Sequence, residues 1–168
     1  QKVPKRGFWR PRRHFKELSL HRLQDLVRSG RLPVPKDRPL TVKDLFEARV
    51  LTLRQKHAGV CLLGRGADDF DTPLHIEVQR ASKLAIEAIE RAGGKIATVY
   101  YSRLTLRGLL KPHKILKKGQ MPPRPALPPP VIMRHYTNPE KRGRLSGREG
   151  GEVVGPRAQP APVGSDMR

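Results

Sequence analysis

Cations and aromatic rings alternate near the start of the chain, and together they suit contacts to nucleic acid. Residues 8–15 read Phe-Trp-Arg-Pro-Arg-Arg-His-Phe. A guanidinium presents a planar fork of donors to phosphate oxygens and can stack on bases, while Trp and Phe offer stacking faces. The alternative is a solvated basic linker whose rings, Phe8 and Phe15 above all, pack onto the folded part of the chain. We predict nucleic-acid contacts from these side chains: Lys2, Lys5, Arg6, Trp9, Arg10, Arg12, Arg13 and Lys16.

A second group of cations lies in the last third of the chain. Residues 101–148 contain 12 Lys and Arg but one acid, Glu140. Basic side chains in such a setting contact phosphates, which position a protein on nucleic acid without reading its sequence. A membrane-surface role is less favoured, because the prolines of this segment disrupt any amphipathic helix. We predict phosphate contacts from Arg103, Arg107, Lys111, Lys114, Lys117, Lys118, Arg124 and Arg134.

Catalytic and metal-binding patterns are absent from the sequence. It contains no P-loop and no nucleophile elbow, and Gly64-Arg65-Gly66 lacks the third glycine and following helix of a dinucleotide-binding fingerprint. The six histidines show no close pairing, and the acids at 68, 69 and 71 fit a solvated turn better than a calcium loop. Cys61 lies in an apolar stretch and is expected to be an inert thiol. We therefore expect no catalytic residue, no metal and no cofactor.

The net charge of +20 on 168 residues is concentrated in two segments. Residues 1–16 carry +7 and residues 101–148 carry +11, whereas residues 17–100 carry only +3. Such a charge opposes compaction unless a polyanion neutralises it, which makes nucleic acid the first candidate partner and an anionic membrane surface the second. No apolar run approaches the ~20 residues that cross a bilayer, so we expect no membrane span. The single Cys61 excludes an intramolecular disulfide.

The nearly neutral middle of the chain has the pattern of a folded α/β domain. Ser19, followed by apolar residues at helical spacing, predicts a capped helix that ends at Gly30. Residues 41–44 have the order of a capping box and predict a second, short helix. Residues 50–53 and 59–64 have the composition of short buried strands.

The strongest local pattern, residues 74–101, predicts a β-α-β unit. Ile76 and Val78 indicate a strand, Ser82 caps a helix that two glycines close, and residues 96–101 indicate a returning strand. We predict an α/β fold: a small single domain with this terminal β-α-β unit, flanked by extended basic N- and C-terminal arms.

The predicted segments differ in charge and in proline content. Eight prolines between residues 112 and 139 disfavour helical geometry, so we expect that stretch to be extended and polyproline-like. The chain begins at Gln1 without an initiator Met, as in a processed chain or an internal fragment. We predict a basic extended arm at 1–16, the globular domain at 17–101, a basic Pro-rich extension at 102–146 and a low-complexity tail at 147–168.

Several motifs, in their order along the chain, resemble a known family. Residues 76–78 and 82–95, which end in Arg-Ala-Gly-Gly-Lys, resemble the C-terminal signature of the large-ribosomal-subunit protein fifteen family. Residues 3–8 look like its Pro-Lys-x-Gly-Phe segment, residues 40–45 like its short helix, and residues 59–66 like the strand before its last unit. The resemblance covers roughly residues 2–101.

The remaining residues resemble the mitochondrial-type members of that family. Residues 118–124, 127–129 and 135–139 are similar to the extension of those members. We expect a mitochondrial-type member that lacks the Gly-rich basic N-terminal arm of the family. The resemblance implies a structural constituent of the large subunit of the mitochondrial ribosome, located in the matrix, with large-subunit ribosomal RNA and neighbouring ribosomal proteins as partners. It implies no catalysis, and we expect no homo-oligomer. A free RNA-binding ribosome assembly factor is the alternative.

Overall fold

The computed structural model describes residue 7 and residues 13–35, 37–54 and 57–146. Strands and helices alternate through this part of the chain, and a short 3-10 helix at Pro139–Lys141 follows the last α-helix. The strands are β1 (His14–Ser19), β2 (His57–Leu63), β3 (His75–Val78), β4 (Arg80–Ala81) and β5 (Lys95–Thr98). The α-helices are α1 (Leu20–Arg28), α2 (Val42–Glu47), α3 (Lys83–Arg91), α4 (Arg103–Leu110), α5 (Pro112–Leu116) and α6 (Pro130–Thr137).

Two parallel sheets form the centre of the fold. In the first, β2 lies between β1 and β4; in the second, β3 pairs with β5 and places Ile76 opposite Ile96. Parallel neighbours need a crossover connection, and α3 supplies it between β3 and β5. The predicted β-α-β unit and the α/β fold class are thereby confirmed.

Aliphatic side chains from both sheets and from α1 to α3 meet in one core. Each fully buried aliphatic side chain contributes about 1.5–3 kcal/mol relative to an exposed one, so this cluster supplies the main stabilisation of the domain. The following are at most 1% exposed: Leu18, Leu20, Leu23, Leu40, Leu45, Leu62, Leu74, Ile76 and Ile89.

The predicted helix starts are confirmed at the atomic level. The Ser19 Oγ accepts a hydrogen bond from the Arg22 N–H at 3.4 Å, and the Ser82 Oγ accepts one from the Ala85 N–H at 3.3 Å. At α2 the Asp44 carboxylate accepts from both the backbone and the hydroxyl of Thr41, each at 2.8 Å, and from the guanidinium of Arg38 at 2.7 Å. Burial alone would raise the pKa of Asp44, but these hydrogen bonds outweigh it and lower the pKa to about 2.

Two segments have a secondary structure that differs from the prediction. Residues 50–53 are buried at three positions but form no strand, because Arg49 adopts a left-handed conformation (φ 55°) that turns the chain before them. Residues 14–16, predicted as part of the basic arm, belong to β1, which pairs in parallel with β2. β1 has a weak pattern because Leu18 is its one fully buried residue.

The Pro-rich extension is more helical than predicted. The expectation of one polyproline-like stretch is wrong for α5 and α6, whose first residues are Pro112 and Pro130. Proline suits the first position of a helix, since its missing N–H would have no partner there. Residues 120–129 contain no helix or strand, as expected. Pro123 nevertheless packs onto α4, where a Cβ added at Gly108 would lie 3.0 Å from its ring.

Residues 138–146, here called the C-terminal clasp, bind back onto the second sheet. Thr98 of β5 donates its N–H to the Arg142 carbonyl at 2.8 Å and accepts from the Arg144 N–H at 3.0 Å. The Arg142 guanidinium forms a bidentate pair with Glu90 of α3, at 2.8 Å for one of its two hydrogen bonds, and Arg144 lies 3.5 Å from Glu77 of β3. Residues 138–146 are thus part of the folded unit.

Candidate nucleic-acid interface

The two described residues of the first predicted group lie at the surface. Arg13 and Lys16 are exposed, and the guanidinium of Arg13 lies 5.7 Å from the centre of the Tyr100 ring. The Phe15 ring packs under the guanidinium of Arg80 at 4.8 Å, so this aromatic ring lies against the domain, as the alternative interpretation expected. The other members of the group lie outside the described residues: Lys2, Lys5, Arg6, Trp9, Arg10 and Arg12.

Four members of the second predicted group lie in or between α4 and α5: Arg103, Arg107, Lys111 and Lys114. Ser102 fixes the start of α4, because its Oγ accepts from the Thr105 N–H at 3.1 Å. Leu106 and Ile115 anchor the two helices in the protein interior, at 4% and 8% exposure. Residues spaced by four along α4 lie on one face, which brings Arg103 and Arg107 together at the surface.

These helices form one wall of a concave site, here called the basic pocket, with a volume of about 410 Å³. The segment that leads into β2 also lines it; there the His57 Nδ1 accepts from the Arg54 N–H and the His57 N–H donates to the Arg54 carbonyl, both at 2.9 Å. The polar lining consists of Arg54, His57, Arg103, Arg107, Lys111 and Lys114. The apolar lining consists of Leu53, Leu104, Leu106 and Leu110.

The cations of the basic pocket lack acidic partners, unlike arginines elsewhere in the fold. Among the residues that the structure describes, no carboxylate lies within ion-pair distance of any of its five Lys and Arg side chains. Lys111 instead places its ammonium 5.6 Å from the ring centre of Phe46. Paired arginines elsewhere are Arg28 with Asp71, Arg38 with Asp44, Arg142 with Glu90 and Arg144 with Glu77.

Two other concavities of similar size have a mixed charge. One, of about 430 Å³, is lined by Asp37 and Glu77 as well as by cations, and another, of about 440 Å³, includes Glu47. The basic pocket has no Asp or Glu in its lining. Its five Lys and Arg side chains therefore create a positive potential that favours an anionic ligand.

The rest of the second group lies at the surface outside the pocket. These side chains are exposed and do not line it: Lys117, Lys118, Arg124 and Arg134. Arg54 was not predicted, because it precedes β2 in a segment without a charge pattern and reaches the pocket only through the tertiary fold. The pocket's leucines were not predicted either, since their helical spacing indicates a buried face.

The described residues offer no metal centre and no membrane helix. No group of three or more His, Cys, Asp or Glu side chains within that part of the chain could hold a metal ion, and no helix there is long and apolar enough to cross a bilayer. In the acidic turn, Asp71 accepts from the Arg28 guanidinium at 2.8 Å and from the Gln24 amide at 2.9 Å. Burial raises the pKa of the Cys61 thiol, which suits an unreactive side chain.

Comparison with known proteins identifies relatives of this chain by sequence. The chain is 35% identical over 134 residues to the large ribosomal subunit protein uL15m of Danio rerio, a match that covers 79% of this chain and 45% of the relative. It is 39% identical over 130 residues to the uL15m of Schizosaccharomyces pombe, covering 77% and 48% of the two chains. It is 38% identical over 109 residues to the uL15 of the bacterium Methylorubrum populi, covering 64% and 61%.

The matches reach well into the C-terminal extension but not across the whole of the relatives. The chain spans 45% to 61% of the length of these three curated proteins. Residues 17–97, which include the strands β2 to β4 and the helices α1 to α3, match the family model described as ribosomal proteins 50S-L15, 50S-L18e and their 60S counterpart. The resemblance predicted from the motifs is confirmed: the chain is similar to the family of large-ribosomal-subunit protein fifteen and to its mitochondrial members.

Proposed function

We propose that the chain is a structural constituent of the large subunit of the mitochondrial ribosome and binds large-subunit ribosomal RNA. Its similarity to the family and to two uL15m proteins supports this assignment and a location in the mitochondrial matrix. Neighbouring ribosomal proteins are further partners. The proposed role involves no reaction and no cofactor.

The observation that carries RNA binding is the unpaired positive surface of α4 and α5. Arg103, Arg107 and Lys114 have no carboxylate partner in the described chain, so their charges are available to phosphates. Each phosphate contact releases counterions from the RNA, which makes affinity fall steeply with salt concentration. We extend the same role to Arg13, Lys16 and the exposed cations beyond the pocket.

A pair of matched double variants tests this surface. Arg103→Gln/Arg107→Gln removes two unpaired charges, and Arg22→Gln/Arg31→Gln removes two exposed charges that do not line the pocket. For the chain on a single-stranded segment of large-subunit RNA, the first pair should lower the slope of log affinity against log salt by roughly 1.4 units. The second pair should leave the slope unchanged. Equal slopes for both double variants would refute the role of α4.

Sedimentation distinguishes the ribosomal role from that of an assembly factor. A constituent should remain on mature mitochondrial large subunits after a high-salt wash that leaves the subunits intact. An assembly factor should be found on precursor particles and be missing from mature ones. Release from intact mature subunits at modest salt concentration would contradict the proposed function.

A further inference from the structure

We propose that the basic pocket binds a single unpaired nucleotide of RNA, with the base on its leucines and the adjoining phosphates between its cations. This inference rests on the proposed function and adds the form of RNA that the site recognises. It separates the pocket from the remaining positive surface, which contacts phosphates alone.

The charge of the pocket specifies an anion that can reach several cations at once. Arg103, Arg107 and Lys114 from α4 and α5 line it together with Arg54, which precedes β2, and there is no acid among the lining residues. Four cations can bind more than one phosphate, and a single nucleotide of an RNA chain brings two, one on each side of its sugar. Arg can bind phosphate oxygens through a bidentate fork, which suits the three arginines of the site.

The apolar part of the pocket specifies what lies between those phosphates. Leu104 is 59% exposed in the middle of the cationic surface, and Leu106, at 4% exposure, continues the apolar surface inward. A phosphate-binding surface alone gains nothing from an exposed leucine beside the cations. A nucleobase has apolar faces and hydrogen-bonding edges, so it can cover leucines while its phosphates reach the charges. An acidic peptide would match the charge but would bring no planar base to cover the leucines.

The pocket suits a single unpaired base rather than a base pair inside a helix. Its volume lies in the range of sites that enclose small organic molecules, roughly 300–1,000 Å³. The bases of an RNA helix are stacked and paired, so their faces are covered by neighbouring bases and only their edges reach the grooves. Only a bulged, looped or extruded nucleotide can place its base on Leu104.

Three RNA hairpins of equal stem length test the proposal with the full chain. The first is fully paired, the second has one bulged adenosine, and the third has an abasic residue at the bulge, which keeps the phosphate and removes the base. The bulged adenosine should bind about tenfold more tightly than either of the others, since this corresponds to burial of roughly two methylene groups. The variant Leu104→Ser should remove that preference. Leu84→Ser, which changes a leucine of α3 that is 63% exposed and does not line the pocket, should retain it.

The outcomes separate this proposal from the proposed function. Equal affinity for all three hairpins, or an equal loss for all three in Leu104→Ser, would overturn nucleotide capture and leave RNA binding in place. Equal affinity for the abasic and adenosine bulges would show that the bulge acts through phosphate geometry, and would also overturn it. No affinity for any hairpin would refute RNA binding itself, and the nucleotide site with it.

Discussion

Substitution of Gly59 by Ala should destabilise the protein far more than its single added methyl group suggests. Gly59 lies in β2 at φ 144°, a backbone conformation that side chains rarely adopt. A Cβ added there would lie 2.3 Å from the Oε1 of Gln79 and 2.5 Å from its Cδ. Gln79 is 1% exposed, and its Oε1 accepts a hydrogen bond from the Val60 N–H at 2.7 Å. Gln79 therefore cannot move away without breaking a buried hydrogen bond.

The magnitude follows from two costs. A residue held in a sparsely populated backbone region costs about 1–3 kcal/mol. Displacing Gln79 leaves the Val60 N–H buried without an acceptor, which costs about 1–3 kcal/mol more. The free energy of unfolding should thus fall by about 2–6 kcal/mol, a large share of the ~5–15 kcal/mol typical of a folded protein.

Urea denaturation followed by circular dichroism measures this change, and Gly93→Ala is the matched control. Gly93 also has a positive φ (78°), but a Cβ added there meets nothing within 4 Å. Its replacement should cost only the left-handed strain, about 1–2 kcal/mol. Gln79→Ala should also lessen the effect of Gly59→Ala in a double-mutant cycle, because the collision is then absent. A cost at Gly59 no greater than at Gly93 would refute this account of the contact.

Two further predictions concern the dependence of stability on pH. Folding lowers the pKa of Asp44 from 3.8 to about 2. The contribution of its carboxylate to stability is therefore present above pH 4 and is lost as the pH falls from about 4 to about 2. Asp44→Asn should lower the free energy of unfolding at pH 7 and weaken the decline of that free energy between pH 4 and pH 2. Burial, with Arg80 and Lys141 nearby, lowers the pKa of His135 from 6.5 to about 4. As the pH falls, the unfolded chain therefore binds the proton before the folded one, and the free energy of unfolding should decrease between about pH 6.5 and about pH 4. His135→Phe, which retains a ring against Tyr136, should remove that decline, whereas an unchanged profile in urea denaturation would contradict the assignment.

Local signals were sufficient to predict three helix starts and the β-α-β unit. Ser19 and Ser82 act on N–H groups three residues away, and a capping box spans four residues, so sequence alone identifies these helix starts. The β-α-β unit was equally predictable, because its two strands and its helix each have a clear apolar period and lie close together in the chain. The family motifs coincide with these same elements.

Features that depend on distant residues could not be predicted. Gln79 accepts from Val60 across 19 positions, and Arg142 meets Glu90 across 52, without any local pattern that links the partners. The prolines of the extension led to a wrong prediction because the same residue breaks a helix in its interior and begins one at its first position. Arg54 likewise joins the basic pocket only when the segment before β2 lies against α4.

The charge of +11 on residues 101–148 combines two groups of cations with opposite consequences. Arg142 and Arg144 are paired with carboxylates of α3 and β3 and hold the C-terminal clasp on the second sheet. The cations of α4 have no such partner among the described residues, and their mutual repulsion opposes folding until an anion binds. Removal of Arg142 should therefore lower stability, whereas removal of Arg103 should lower RNA affinity and leave stability unchanged or raised. Net charge counts both groups alike, and only the positions of the carboxylates distinguish the cations that hold the fold from those that we propose to bind RNA.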